Sequence, residues 1–212
     1  MSGSYDFEEQ ERIAELKAWW EDNRMYVLGA VAGLIIAFAG YRGWQYWQAR
    51  QAEDAAAMFT PVSEAAKGKD VKRVSDLAQA LEDKHSSSFY ASQAGLVAAK
   101  AAFDAADYAT AQKHLEWVME HGVQEHRGVA RLRLAGVMLE QRKYDDALKL
   151  LDQNKDAACN PLVADMRGDV MLAQGRLDEA RSAYKLAIEK ADPRSPVRNI
   201  AETKLNALGG PQ

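Results

Sequence analysis

The sequence predicts an all-α protein: one N-terminal transmembrane helix followed by a solenoid of helical repeats. Three observations predict it. The 17 residues from Met25 to Tyr41 carry no charge. After Trp47 the chain is rich in Ala, Leu, Glu, Lys and Gln, lacks proline between Val62 and Asn160, and nowhere alternates with period two over a strand's length. Three segments repeat at spacings of 36 and 33 residues.

Averages hide this organisation. The 212 residues have a formal net charge of −4, and the mean hydropathy of −0.40 and pI near 5.6 are those of an ordinary soluble domain. The acidic pI gives no support to nucleic-acid binding. The single cysteine, Cys159, excludes an internal disulfide and a cysteine-based zinc finger.

Residues 1–24 hold three basic side chains (Arg12, Lys17, Arg24) and seven acidic ones, a net of −4 that accounts for the whole chain; the remainder is neutral. Within residues 7–22 an apolar stripe of Ile13, Leu16 and Trp20 recurs at helical spacing. It reads as a short amphipathic helix on the membrane surface, or else as a docking segment for a basic partner.

The span follows as residues 25–47. Seventeen residues at helical rise give roughly 25 Å against a hydrocarbon core of about 30 Å. Arg24 and Arg42 can snorkel outward, and Gly43 to Trp47 adds a turn. Trp19, Trp20 and Tyr26 before the stretch, and Tyr41, Trp44, Tyr46 and Trp47 after it, form the aromatic belts of a bilayer interface. Ala37-Phe38-Ala39 has a cleavage-site form, but the preceding segment is long and acidic, which favours an uncleaved anchor. Three basic residues before the span against two soon after it, Arg42 and Arg50, lean weakly toward a cytoplasmic N-terminus. Gly29, Gly33 and Ala37 fall on one face, where another membrane helix could approach; chance placement of small residues is the plainer reading.

Residues 48–89 read as a degenerate helical pair, Gln48–Lys67 and Val71–Lys84, broken at Gly68. Three repeats occupy 90–194, at about 90–125, 126–160 and 161–193. Asp107-Tyr108-Ala109-Thr110-Ala111, Lys143-Tyr144-Asp145-Asp146-Ala147 and Arg176-Leu177-Asp178-Glu179-Ala180 align, with Leu115, Leu151 and Tyr184 four residues on. Ala99, Ala135 and Gly168 lie twelve residues before the aligned alanines. This pattern resembles the tetratricopeptide repeat, a helix-turn-helix whose small residues mark the close crossing of its two helices while Tyr/Leu and Leu/Tyr positions fill the space around it. The third copy is the cleanest, with Gly175 at the turn, Ala187 on the second helix and Pro193 beyond it. The first two carry Val118 and Asn154 at the late small position and lack the terminal proline, and the early tryptophan is missing from all three. The last segment, 195–212, reads as a capping helix with Ser195 at the N-cap and Pro196 at N1, running to Leu208, then a flexible tail.

Catalytic and metal motifs are missing from the sequence: no His-Glu-x-x-His, no phosphate loop, no Gly-x-Ser-x-Gly, no cysteine pair. No cofactor is expected. His114 and His121 share a helix and read as exposed histidines, with His126 in the next connection. Cys159 reads as a small filler, and the pairs Asp145-Asp146 and Asp178-Glu179 as acidic first turns favoured by the helix dipole. What remains is the repeat surface. The usual concave positions of tetratricopeptide first helices are here Leu96, Lys100, Phe103, Leu132, Leu139, Leu162, Asp165, Asp169 and Leu172. That face is mostly apolar with a single lysine. It predicts an apolar or extended segment as ligand, not a terminal carboxylate, which needs several cationic or amide donors.

The order Ala18-Trp19-Trp20, Asn23, Gly29, then Gly40-Tyr41-Arg42-Gly43-Trp44-Gln45-Tyr46-Trp47, with Val163-Ala164-Asp165-Met166-Arg167-Gly168-Asp169 and Ala180-Arg181-Ser182-Ala183 in the repeats, resembles the YfgM family, ancillary to the bacterial SecYEG translocon. The resemblance implies a single-pass inner-membrane protein with periplasmic repeats and a cytoplasmic N-terminus. It implies a non-enzymatic adaptor whose partners are the translocon, a membrane-anchored periplasmic chaperone of the peptidyl-prolyl isomerase type and emerging client chains. A scaffold for another envelope or respiratory complex is the alternative.

Overall fold

A computed structural model of the chain describes residues 3–154 and 160–209. Cys159 and the tail from residue 210 lie outside the described residues. Among those described there are nine helices and no strand: α1 (Gly3–Lys67), α2 (Val71–Lys84), α3 (Phe89–Asp104), α4 (Tyr108–His121), α5 (Gln124–Glu140), α6 (Tyr144–Asp152), α7 (Asn160–Ala173), α8 (Leu177–Lys190) and α9 (Pro196–Ala207). The chain divides into two units, one up to Gln51 and one from Ala52.

In the first unit the expected surface helix and the span are one helix, with no break at residue 24 or 47. The helix runs without interruption from Glu11 to Lys67, through Pro61, and the apolar window within that range is long enough to cross a membrane and is wholly unburied. Trp19, Trp20, Tyr26, Tyr41, Trp44, Tyr46 and Trp47 are all exposed. Asn23 Nδ2 donates to the Trp19 carbonyl at 2.8 Å and Arg50 Nε to the Tyr46 hydroxyl at 3.0 Å, so these polar groups near the ends of the apolar stretch are satisfied within the helix. A Cβ at Gly29 or Gly33 would meet nothing within 4 Å.

The second unit repeats one turn four times. The backbone N–H groups of Asp70, Asp107, Lys143 and Arg176 donate to the carbonyls of Ala65, Ala102, Met138 and Met171, each five residues back. This is the Schellman closure of a helix, with a left-handed residue just before each donor. Those residues are Lys69, Ala106, Arg142 and Gly175, with φ of 56°, 57°, 59° and 74°. The bend at the end of α1 therefore sits on Lys69, one residue after the expected Gly68, and it is the same bend as those inside the repeats. Asp70 and Asp107 then cap α2 and α4 by accepting from the N–H three residues on. Ser195 caps α9, with Pro196 at its start.

Packing follows the small residues. Ala99, Ala111, Ala135, Ala147, Ala180 and Ala187 are buried, as are Leu115 and Leu151. The third repeat solves the same crossing with a different pair. A Cβ added at Gly168 would lie 2.6 Å from Tyr184 Cδ1 and 2.9 Å from Cζ, and Tyr184 is fully buried. Where the other copies set Ala against Leu, this one sets Gly against Tyr, trading side-chain volume across the contact. Leu177 departs from the expectation that it fills this space. It is 45% exposed, whereas Tyr108 reaches back to Phe103 with ring centroids 5.7 Å apart. A leucine has no ring with which to make that reach.

The first repeat holds a buried polar contact where the others hold Leu150 and Ala183. His114, expected on the surface, is fully buried. Its Nδ1 lies 2.8 Å from Glu82 Oε1, itself 3% exposed, and its Nε2 2.8 Å from Ser75 Oγ. The reason is local: α2 supplies a carboxylate and a hydroxyl that satisfy both ring nitrogens, so the imidazole can enter the interface between α2 and α4. Gly95 lets α3 close over it, since a Cβ there would be 2.9 Å from Glu82 Oε1 and 2.6 Å from Val118 Cγ2.

Two outcomes follow for the full chain in detergent, read from denaturant midpoints. Gly168→Ala lowers stability by about 1–3 kcal/mol through overpacking, while Gly136→Ala, whose new Cβ meets only Met166 Cε at 3.6 Å, is near neutral. His114→Ala costs about 3 kcal/mol because it strands a buried carboxylate, and Ser75→Ala about 1 kcal/mol.

Candidate functional site

Helices α3, α5, α7 and α9 form one row of the second unit, each in contact with the next. Two cavities open along the first part of the row. One of about 310 Å³ is walled by Phe103, Leu115, Val137 and Met166. The other, of about 210 Å³, is walled by Ala66, Gln93, Leu96 and Val97. Lys100, Asp104 and Arg133 line both, so the two are parts of one groove. A third cavity of about 500 Å³ lies further along, with Leu139, Arg142, Tyr144, Asp169 and Leu172 on its walls.

The residues expected on this face divide. Lys100 and Phe103 line the groove, and Leu139, Asp169 and Leu172 line the third cavity. Leu96 touches the groove but is 4% exposed and belongs to the core, as do Leu115 and Val137 on its floor, each 1% exposed. Leu132 is half-buried against the core, and the groove wall on α5 is instead Arg133, Gly136 and Val137. Leu162 is half-buried and lines none of the three cavities.

The cause is a register difference of one residue. Val97, Lys100 and Ala101 on α3 recur 36 residues later as Arg133, Gly136 and Val137, and Arg133 and Gly136 recur 33 later as Met166 and Asp169. Lys100, Phe103 and their equivalents sit near the boundary of this face, so they are common to both registers. Applying the repeat spacing to Val97 rather than to Leu96 is the signal that would have found Arg133 and Met166.

The electrostatics of the groove are uneven. Lys100 Nζ pairs with Asp104 Oδ2 at 2.7 Å, one turn apart on α3. Arg133 is exposed toward solvent, and its Nη1 donates to the Leu96 carbonyl at 3.1 Å. Protein crowded around the guanidinium pushes its pKa down. The expected single-lysine face thus carries a second cation and a carboxylate.

Asp165 and Asp169 are not free for a ligand. Lys204, from α9, bridges them at 2.8 and 2.7 Å, and the Tyr184 hydroxyl donates to Asp169 Oδ1 at 2.9 Å. Lys204 also lies 5.6 Å from the Tyr184 ring centroid. Burial raises the pKa of Asp165 against the pull of Lys204. Burial, then the neighbouring Asp169, raises that of Tyr184. Burial opposes the charge of Lys204, but hydrogen bonds to both aspartates outweigh it and its pKa is raised. This cluster ties the capping helix to the last repeat.

Ser75, His114 and Glu82 have the order of a hydrolase relay. Ser75, however, sits within α2, where neighbouring N–H groups are spent on the helix, so no pair of donors faces the hydroxyl to hold an oxyanion. His126 lies on the first turn of α5, not in a connection, with its ring 4.7 Å from that of Phe89. His121 is exposed and stacks on Trp117. Among the described residues no group of three or more His, Cys, Asp or Glu could hold a metal ion.

Comparison with known proteins gives matches over most of the chain. A family model described as a tetratricopeptide repeat-like domain matches residues 17–210. The ancillary SecYEG translocon subunit of Neisseria gonorrhoeae is 34% identical over 95% of this chain and 97% of its own length. That of Haemophilus influenzae is 28% identical over 97% of this chain and 100% of its own. The corresponding subunit of Escherichia coli is 27% identical over 94% and 96%.

The cap cluster sets an alkaline limit. Tyr184 and Lys204 both have raised pKa values in the fold. Their contribution is complete below the ordinary values near 10 and is lost as pH rises through the raised ones. Denaturation of the full chain at pH 8 and at pH 11 therefore shows a lower midpoint at pH 11. Lys204→Met lowers the pH 8 midpoint and shrinks the difference between the two.

Proposed function

The chain belongs to the family of the ancillary SecYEG translocon subunits, built on a tetratricopeptide repeat-like domain, and from that membership we propose that it is a non-enzymatic, membrane-anchored adaptor of the Sec translocon. Residues 25–47 span the inner membrane, residues 1–24 lie in the cytoplasm, and the repeats stand in the periplasm. The domain receives apolar, extended segments of emerging chains and passes export on to a membrane-anchored chaperone of the peptidyl-prolyl isomerase type. The observation that carries this reading is the groove of α3, α5 and α7, open to solvent and apolar along Phe103 and Met166 over a floor of buried Val137.

Anchoring serves such a role physically. A domain held at the membrane meets chains at the translocon exit at a raised effective concentration, so a weak groove suffices. The exposed face of Gly29, Gly33 and Ala37 is where a translocon helix could approach.

Site-specific photocrosslinking tests this. Probes at positions 29, 33 and 37 should capture translocon subunits, and probes at 100, 103 and 166 should capture a periplasmic chaperone or a client chain. Capture of components of a respiratory or other envelope complex at both sets, with no translocon product, would replace the reading with that of a scaffold for that complex.

A further inference from the structure

The groove has an unbalanced charge at its centre. Of its cations, Lys100 is neutralised by Asp104 at 2.7 Å. Arg133, shared by both cavities, has no carboxylate partner among the described residues. Its Nη1 donates to the Leu96 carbonyl at 3.1 Å, which leaves Nε and Nη2 to donate elsewhere. The surrounding wall is Phe103, Val137 and Met166. A cation in a concave apolar setting attracts an anion more strongly than one on an open surface.

We propose that this groove takes an extended apolar polypeptide segment bearing one internal acidic side chain, whose carboxylate seats on Arg133. Charge complementarity selects the carboxylate, and the apolar walls select the residues on either side of it. One unpaired guanidinium matches one side-chain carboxylate. It does not supply the several donors by which a clamp encloses a chain's C-terminus. The proposal rests on the reading of the groove as a segment-binding site and adds what that segment must carry.

The test uses the full chain in lipid nanodiscs, with empty nanodiscs as blank, and fluorescence anisotropy of end-blocked peptides carrying an uncharged dye. The peptides place aspartate, asparagine or lysine at the centre of a leucine and valine segment. The aspartate peptide should bind at least about tenfold more tightly than the asparagine peptide, the value of a hydrogen bond to a charged group, with the lysine peptide weakest. Arg133→Gln should abolish the preference and leave the asparagine peptide's affinity in place, which shows that the groove is intact. Arg133→Glu should reverse the order in favour of lysine. An asparagine peptide with a free C-terminus should gain nothing over its blocked form. Equal binding of aspartate and asparagine peptides overturns the carboxylate proposal and leaves the groove reading standing, as does a gain confined to the free C-terminus. Binding of no peptide overturns both.

Discussion

The close crossing of two helices within each repeat is the constraint on which the rest of the second unit depends. Wherever α3 meets α4, α5 meets α6 and α7 meets α8, one partner must give up side-chain volume so that the other can be buried. Ala99 with Leu115, Ala135 with Leu151 and Gly168 with Tyr184 are three settings of one sum. The outer helices are held down by these contacts. The row of α3, α5 and α7 is then free to present its other face, and the groove is what that face leaves open.

Two polar clusters tie helices of the unit together. Glu82 and His114 lie between α2 and α4, and Asp165, Asp169 and Lys204 join α7 to α9. The middle is apolar, built on Leu134, Val137, Leu150 and Leu151. The last helix, α9, has neighbours on one side only and buries only Ala201 and Leu205. Ion pairs and hydrogen bonds that tolerate one geometry alone fix its seating where hydrophobic burial would leave it loose.

Much of this was legible in the sequence because it depends on local spacing. The uncharged stretch with aromatic residues at both ends, the aligned small residues and the Ser195-Pro196 helix start each follow from a few neighbouring residues. The misplaced features depend on partners far along the chain. His114 looks like a surface residue until α2 brings Glu82 and Ser75 to it across 32 and 39 positions. The unbroken α1 was hidden because composition changes at residues 24 and 47 while helix propensity does not. Part of the expected face is one residue out of register, with Leu132 standing where Arg133 lines the groove. The small residues fix which side of each helix is buried, but not where the remaining arc divides between core and solvent, and Leu132 and Arg133 fall on opposite sides of that division.

The four left-handed turns bear on how such a unit can be altered. Three of them use Lys69, Ala106 and Arg142 in a conformation that glycine adopts with least strain. The bend is thus written in a pair of backbone hydrogen bonds and not in a residue type. A segment cut between two of these turns, from 107 to 142 for example, begins and ends on the same backbone geometry. Such a segment has matching backbone ends, so the turns themselves do not oppose a change of length in whole repeats. The side chains do: this one carries His114 away from Glu82 and Ser75, which stay behind on α2.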